Sequence, residues 1–151
     1  MTMTRLMVWL LLAASASLAG TAAADDAGDA GSRLFHRCAA CHLPTGKGVP
    51  GSFPPLGAQV AQAAQSAPGR AYLVLVVSKG LMGPISVSGQ SYRGVMPAQS
   101  GLSDQDAADA TPFTAAEVAR IRQANAQATA RTVHDMRADL FVPQDDGRTR
   151  R

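Results

Sequence analysis

The residues of this 151-residue chain that could do chemistry are concentrated in one short segment, Cys38-Ala39-Ala40-Cys41-His42. Its two thiols lie one helical turn apart, and an imidazole follows the second thiol directly. In this C-x-x-C-H arrangement the thiols can add to the two vinyl groups on one edge of a porphyrin, while the imidazole reaches the iron. The segment therefore predicts one covalent c-type haem, attached at Cys38 and Cys41, with His42 as an iron ligand.

Other uses of the cysteine pair are a redox disulfide, a structural disulfide or half of a zinc site. A thioredoxin-type disulfide belongs in a βαβ context, which this sequence does not suggest. The chain has only two cysteines and three histidines, which are too few for the common zinc frameworks or for a dense disulfide scaffold. Haem attachment is the use that the motif favours.

Length and composition predict a single folded domain. With 46% apolar and 17% charged residues, the chain is too hydrophobic to be disordered. Aromatic residues make up only 5% of it, so few bulky side chains are available to fill a core. A large buried cofactor would supply the missing volume.

The N-terminal 24 residues have the features of a secretory signal. Arg5 gives a positive charge, Leu6 to Leu12 is an apolar run, and three alanines precede Asp25. The alternative, an uncleaved membrane anchor, needs roughly 20 apolar residues, and polar residues interrupt this run early. We therefore predict cleavage after residue 24, a folded domain over residues 25–142, a flexible tail over 143–151, and a location in a bacterial periplasm without a membrane span.

Further motifs carry a resemblance to a known family. The order is G-S-R-L-F-H-R before the first cysteine, then G-V-P-G-S-F-P-P-L from Gly48, then G-P-I-S-V-S-G-Q-S-Y-R-G-V-M-P-A from Gly83. Over Gly31 to about Asp106 the chain resembles class I monohaem cytochromes c, particularly periplasmic cytochromes and cytochrome subunits that accept electrons from alcohol- and sugar-type dehydrogenases. The resemblance implies an all-α fold of short helices wrapped around one haem, with a small hairpin near the methionine loop.

The resemblance also implies two further site residues. The family's sixth iron ligand is the Met of a G-x-M-P segment, which corresponds to Met96. Met82, beside Gly83, is the alternative sulfur ligand. Pro54 belongs to a segment similar to the family's Pro-x-Leu, whose proline carbonyl accepts a hydrogen bond from the ligand imidazole and fixes its tautomer. The alternative role for Pro54 is that of a plain rigid loop residue.

The spacing of apolar residues and the positions of glycine and proline predict the elements that must position these residues. Apolar residues at helical spacing predict a helix over Ser32–Cys41, and glycines and prolines then predict a loop of fixed shape from Leu43 to Gly57. The apolar run Arg70–Ser78 fits helix or strand by periodicity alone, and the resemblance favours helix. Residues Ile85–Tyr92 alternate around a central Ser-Gly pair, which predicts a hairpin.

The C-terminal part departs from the family pattern. A long helix usually follows the methionine loop and crosses the N-terminal helix near Gly31, but Thr111-Pro112 ends the predicted helix here after about two turns. A new helix is predicted to start at Thr114, with Thr114 and Glu117 as a capping box, and to run to about Phe141. We expect either that this helix replaces the usual crossing helix, or that haem binding leaves the packing on this side of the domain looser than is usual.

The predicted function is one-electron transfer without catalysis. His/Met ligation favours a raised potential, so electrons should pass from a dehydrogenase to an oxidase or another cytochrome. The alternatives are a haem enzyme or gas sensor with an open sixth position, and a non-catalytic subunit of a dehydrogenase complex.

Charge predicts the kind of partner. The formal net charge is +3, and no Asp or Glu lies between Ala30 and Ser103. A cationic surface around the haem edge would steer docking to acidic redox proteins, and nucleic acid is not an expected partner. The cations of this stretch are Arg33, Arg37, Lys47, Arg70, Lys79 and Arg93.

Overall fold

The computed structural model describes residues 22–109 and 111–141. Residues 1–21 of the predicted signal and the whole predicted tail over 143–151 lie outside the described residues. Six helices dominate the described part, and the only strands there form two short ribbons, so the all-α prediction with a small hairpin is confirmed. The helices are α1 (Ala22–His42), α2 (Ala58–Ala63), α3 (Ala67–Lys79), α4 (Asp104–Asp109), α5 (Ala115–Ala124) and α6 (Ala130–Leu140).

Helix α3 forms the centre of the core. The Ser66 side chain caps it by accepting a hydrogen bond from the Gly69 N–H at 3.1 Å, and Pro68 occupies its first turn. This confirms a helix where periodicity alone allowed a strand. Its apolar residues pack against α2, α5 and α6. The core comprises Ala63, Tyr72, Leu73, Val74, Leu75, Leu81, Ala107, Ala108, Phe113, Val118 and Val133.

The strands form two antiparallel ribbons between α3 and α4. The predicted hairpin is confirmed as β2 (Ile85–Val87) and β3 (Gln90–Tyr92), with both residues of its Ser-Gly turn at positive φ, as a type I′ turn requires. The second ribbon, which the sequence did not predict, joins β1 (Leu81–Met82) to β4 (Val95–Met96). It encloses the hairpin and fixes where the predicted methionine ligand lies.

The helix crossing at Gly31 is made by the short helix α4. A side chain at Gly31 would overlap the Asp109 carbonyl oxygen, so the two backbones are in direct contact there. Small buried residues on α4, Ala107 and Ala108, give it little bulk on its core side. The expectation that the helix after Thr114 replaces the crossing is therefore wrong, because a two-turn helix of small residues can make the approach itself.

The C-terminal region consists of two helices rather than the predicted single one. Helix α5 ends at Ala124, and Thr129 starts α6 through a capping box with Thr132. The apolar residues Val133, Met136 and Leu140 are out of phase with Val118 and Ile121 on a single helix, and this shift was the sequence sign of the break. The Thr114 side chain caps α5 as predicted, but the Glu117 carboxylate accepts hydrogen bonds from Arg70 instead of completing a capping box.

Replacement of Gly31 tests the helix crossing. We expect Gly31→Ala to lower the free energy of unfolding by about 1–3 kcal/mol, because the new methyl group overlaps the Asp109 carbonyl. Helix propensity alone would favour Ala by roughly 1 kcal/mol, so the sign is diagnostic. Denaturant unfolding of the holoprotein measures it. Gly101→Ala, which adds a methyl group in open space, is the control, and an unchanged Gly31→Ala would contradict this packing.

The Arg70–Glu117 pair predicts a pH dependence of stability. Hydrogen bonds from Arg70 are the main cause that holds the pKa of Glu117 below its usual range. The contribution of this pair to the free energy of unfolding is therefore complete above the ordinary carboxyl pKa. It is lost as the pH falls through the lowered pKa of Glu117. Glu117→Gln should be less stable than the unmodified protein at pH 7 and should converge with it in acid. Unfolding free energies measured across pH test this, with exposed Asp139→Asn as control; a pH-independent difference would contradict it.

Candidate haem site

The two thiols and the imidazole lie at the C-terminal end of α1. Cys38 and Cys41 are three residues apart in the last turns of a helix, so both thiols are on one face. Both are half-buried and are not bonded to each other. Burial raises the pKa of the Cys38 thiol, and the positive charge of Arg37 partly opposes this. The pair thus presents two free thiols on one side of the helix end.

His42 has a single fixed orientation. Its side chain is buried, with only 7% of the residue exposed, and Nδ1 lies 2.8 Å from the Pro54 carbonyl oxygen. A carbonyl can only accept, so Nδ1 carries the proton and donates it. The tautomer leaves the Nε2 lone pair free to bind a metal. The hydrogen bond expected for Pro54 from the family resemblance is therefore present in the geometry.

The glycine-rich loop brings the Pro54 carbonyl to the imidazole. Leu43 ends α1 with φ at 62°, and the Gly48 N–H then donates to the His42 carbonyl at 2.9 Å. Gly48 has φ at 64°, and a side chain there would overlap the carbonyl oxygens of Phe53 and Pro54. Glycine is required at this position for both reasons. The loop is thus a turn of fixed shape, as the sequence predicted.

The two candidate methionine ligands lie on opposite faces of one ribbon. Met96 is paired with Leu81, and Met82 with Val95, so adjacent pairs point in opposite directions. Met96 is half-buried against the core, whereas Met82 is 52% exposed. A close approach of Gly94 to the Ser52 carbonyl, 3.5 Å from an added Cβ, brings this ribbon to the histidine loop. Only one of the two sulfurs can thus face a group on a given side of the ribbon.

The residues present fit a haem. The donor set is one free imidazole nitrogen, two thiols and a thioether, and the iron and vinyl groups of a haem use all of them. Exposed apolar side chains on the loop after His42 are typical of a surface that a ligand covers. No other group of three or more metal-binding side chains occurs in the described ranges. The exposed apolar residues of the loop are Leu43, Val49, Phe53 and Leu56.

Comparison with known proteins agrees with this geometry. A family profile described as Cytochrome c matches residues 28–114. The chain belongs to the cytochrome c family. It is 39% identical over 109 residues to cytochrome c-552 of Thermus thermophilus, over 61% of this chain and 83% of that protein. A second cytochrome c-552, from a culture-collection strain of the same species, is also 39% identical, over 61% of this chain and 74% of its own length.

Family membership establishes the cofactor and the broad activity. The chain is a haem electron carrier with one covalent c-type haem at its cysteine pair. Helices α5 and α6 both lie beyond the matched residues, so their contacts must be read from the structure. None of the described helices has the length and hydropathy needed to cross a membrane. Sequence reasoning missed the β1–β4 ribbon, because two-residue strands carry no readable alternation.

Replacement of Gly48 tests how the loop holds the imidazole. We expect Gly48→Ala to lower the free energy of unfolding by about 1–3 kcal/mol more than Gly51→Ala does. Both glycines have positive φ, but only at Gly48 does an added methyl group meet the Pro54 carbonyl. A weakened His42 hydrogen bond also makes the imidazole a poorer donor, so the reduction potential should rise in Gly48→Ala alone. Equal stability and potential in the two variants would contradict this.

Proposed function

We propose that the protein carries single electrons in the periplasm, from a dehydrogenase to an oxidase or another cytochrome, with His42 and Met96 as the axial ligands. The observation that carries the proposal is the His42–Pro54 hydrogen bond, which leaves Nε2 free for iron. Half-burial of Met96 supports it as the opposite ligand, since a sulfur shielded from water is a stable ligand. Two filled axial positions leave no place for a substrate, which supports a carrier rather than a haem enzyme or gas sensor.

Each residue of this set has a distinct task. The bound haem supplies the redox chemistry, because its iron cycles between the ferrous and ferric states. Cys38 and Cys41 tether the haem, and His42 is held in one tautomer by Pro54. A thioether ligand at Met96 would favour the ferrous state and raise the potential. The signal-like features of residues 1–24 support export, and with it attachment and function outside the cytoplasm.

The described cations support docking to an acidic partner, but not all six contribute equally. Arg70 is paired with Glu117, and the Lys79 ammonium donates to the Ala126 carbonyl at 2.9 Å. The exposed cations are Arg33, Arg37, Lys47 and Arg93, and the last two lie on the loop and ribbon that carry the site. We propose these two as the centre of the docking face.

The axial pair is tested with two methionine variants. We expect the ferric protein to show the weak near-infrared band of an iron–sulfur bond, and Met96→Ala to abolish it. Met82→Ala is the matched control, because its side chain lies on the other face of the ribbon and should leave the band unchanged. Loss of the band only in Met82→Ala would reverse the assignment, and absence of the band in the unmodified protein would favour an open sixth position.

The docking face is tested by charge reversal. We expect Lys47→Glu to lower the association rate with the physiological partner and to leave the haem spectrum unchanged, because surface charges act on encounter. Arg131→Glu makes the same change in charge at an exposed position on α6, and it should lower the association rate less. Stopped-flow rates should fall as the Debye length shrinks from about 30 Å at 0.01 M to about 8 Å at 0.15 M. Rates independent of salt would favour a permanent subunit of a dehydrogenase complex.

A further inference from the structure

Arg137 is a buried cation in the last helix of the described chain. Only 8% of the residue is exposed, and its guanidinium lies 4.5 Å from the centre of the Phe141 ring. It donates hydrogen bonds to the Tyr72 hydroxyl at 3.3 Å, the Gln59 side-chain oxygen at 2.5 Å and the Ser86 carbonyl at 2.9 Å. These acceptors lie on α3, α2 and β2, so one side chain ties α6 to three other elements.

None of these acceptors carries a negative charge. Among the side chains of residues 30–109 and 111–141, no carboxylate lies within ion-pair distance of Arg137, whereas Arg70 and Arg122 each have one. A guanidinium has five N–H donors, and three of them account for the observed bonds. A buried charge without a counter-charge is costly, so proteins pair such groups or bind an anion beside them. The buried guanidinium of Arg137 would therefore be stabilised by an anion beside it.

The position of Arg137 indicates which anion this is. Gln59 lies in the first turn of α2, just after the loop that contains Pro54, and Ser86 lies in the hairpin enclosed by the Met96 ribbon. Arg137 therefore joins α2, which follows the loop that holds His42, to the hairpin, which precedes Met96. The c-type haem brings two propionates, which are anions. We propose that Arg137 is the charge partner of a haem propionate.

The assignment goes beyond the family match, because Arg137 lies outside residues 28–114. It rests on the bound haem and not on the choice of Met96 as ligand. A positive charge beside a propionate offsets negative charge near the iron, and it thereby favours the ferrous state. Loss of the charge should lower the reduction potential. A purely structural role in joining α6 to its neighbours predicts no such shift in a variant that folds.

The experiment compares reduction potentials of holoprotein variants. We expect Arg137→Gln to lower the potential by at least about three times the shift of Arg131→Gln, an exposed arginine on the same helix, because water and salt screen the exposed charge more strongly. Arg137→Lys, which keeps the charge, should restore most of the potential. A shift no larger than that of Arg131→Gln would overturn the proposal. An equal loss in Arg137→Lys and Arg137→Gln would also overturn it, because the charge would then not matter.

The propionates can also be examined in the unmodified protein, so that this test does not depend on whether a variant folds. With ¹³C-labelled haem propionates, NMR against pH should show one propionate that titrates below the ordinary carboxyl range. The titratable groups that could contribute from packed elements are Tyr72 on α3 and His134, one turn earlier on α6, whose Nε2 is bonded to the Pro84 carbonyl. Titration of both propionates in the ordinary range would contradict the proposal.

Asp145 and Asp146, beyond the described residues, are two other carboxylates that could serve as the partner. The double variant Asp145→Asn, Asp146→Asn separates these sources. We expect its potential and its propionate titration to match the unmodified protein. A low-pKa propionate that is lost in this variant, or a potential that falls as in Arg137→Gln, would assign Arg137 to the tail instead.

Discussion

The hydrogen bond from His42 Nδ1 to the Pro54 carbonyl is the interaction on which the rest of the site depends. It joins the end of α1 to a loop residue twelve positions later, and it can form only if the intervening chain turns back tightly. Leu43 and Gly48 at positive φ make that turn, and the absence of a side chain at Gly48 lets the loop close. Tautomer, ligand direction and haem position are consequences of this closure.

The C-terminal helices secure the opposite side of the site. Nitrogen-bearing side chains of α5 and α6 donate to backbone carbonyls near the methionine ribbon: Arg122 to Leu102, His134 to Pro84 and Arg137 to Ser86. A hydrogen bond to a backbone carbonyl fixes the position of the backbone, whichever side chain that residue carries. The departure from the family's single long helix therefore does not loosen the fold. The short α4 keeps the crossing at Gly31, and α5 and α6 pack against α3.

Residue type and spacing were sufficient to predict the parts of the fold that depend on local chemistry. The end of α1, the loop after it and the Ser-Gly hairpin follow from a motif, from Gly and Pro, and from turn geometry. Tertiary contacts decided the rest. Glu117 has the spacing of a capping box, yet a bidentate bond with Arg70, 47 residues away, competes for its carboxylate. Burial of Arg137 had no local signal either, because its partners are far apart in sequence.

The chain holds one haem through both cysteines at the end of α1. The most direct measurement is an absorption spectrum of the reduced pyridine haemochrome, taken on protein that has been extracted with acidic acetone. We predict that the colour stays with the protein and that the spectrum is that of a haem with both vinyl groups saturated. Haem that passes into the acetone, or a spectrum with an unsaturated vinyl group, would contradict the account.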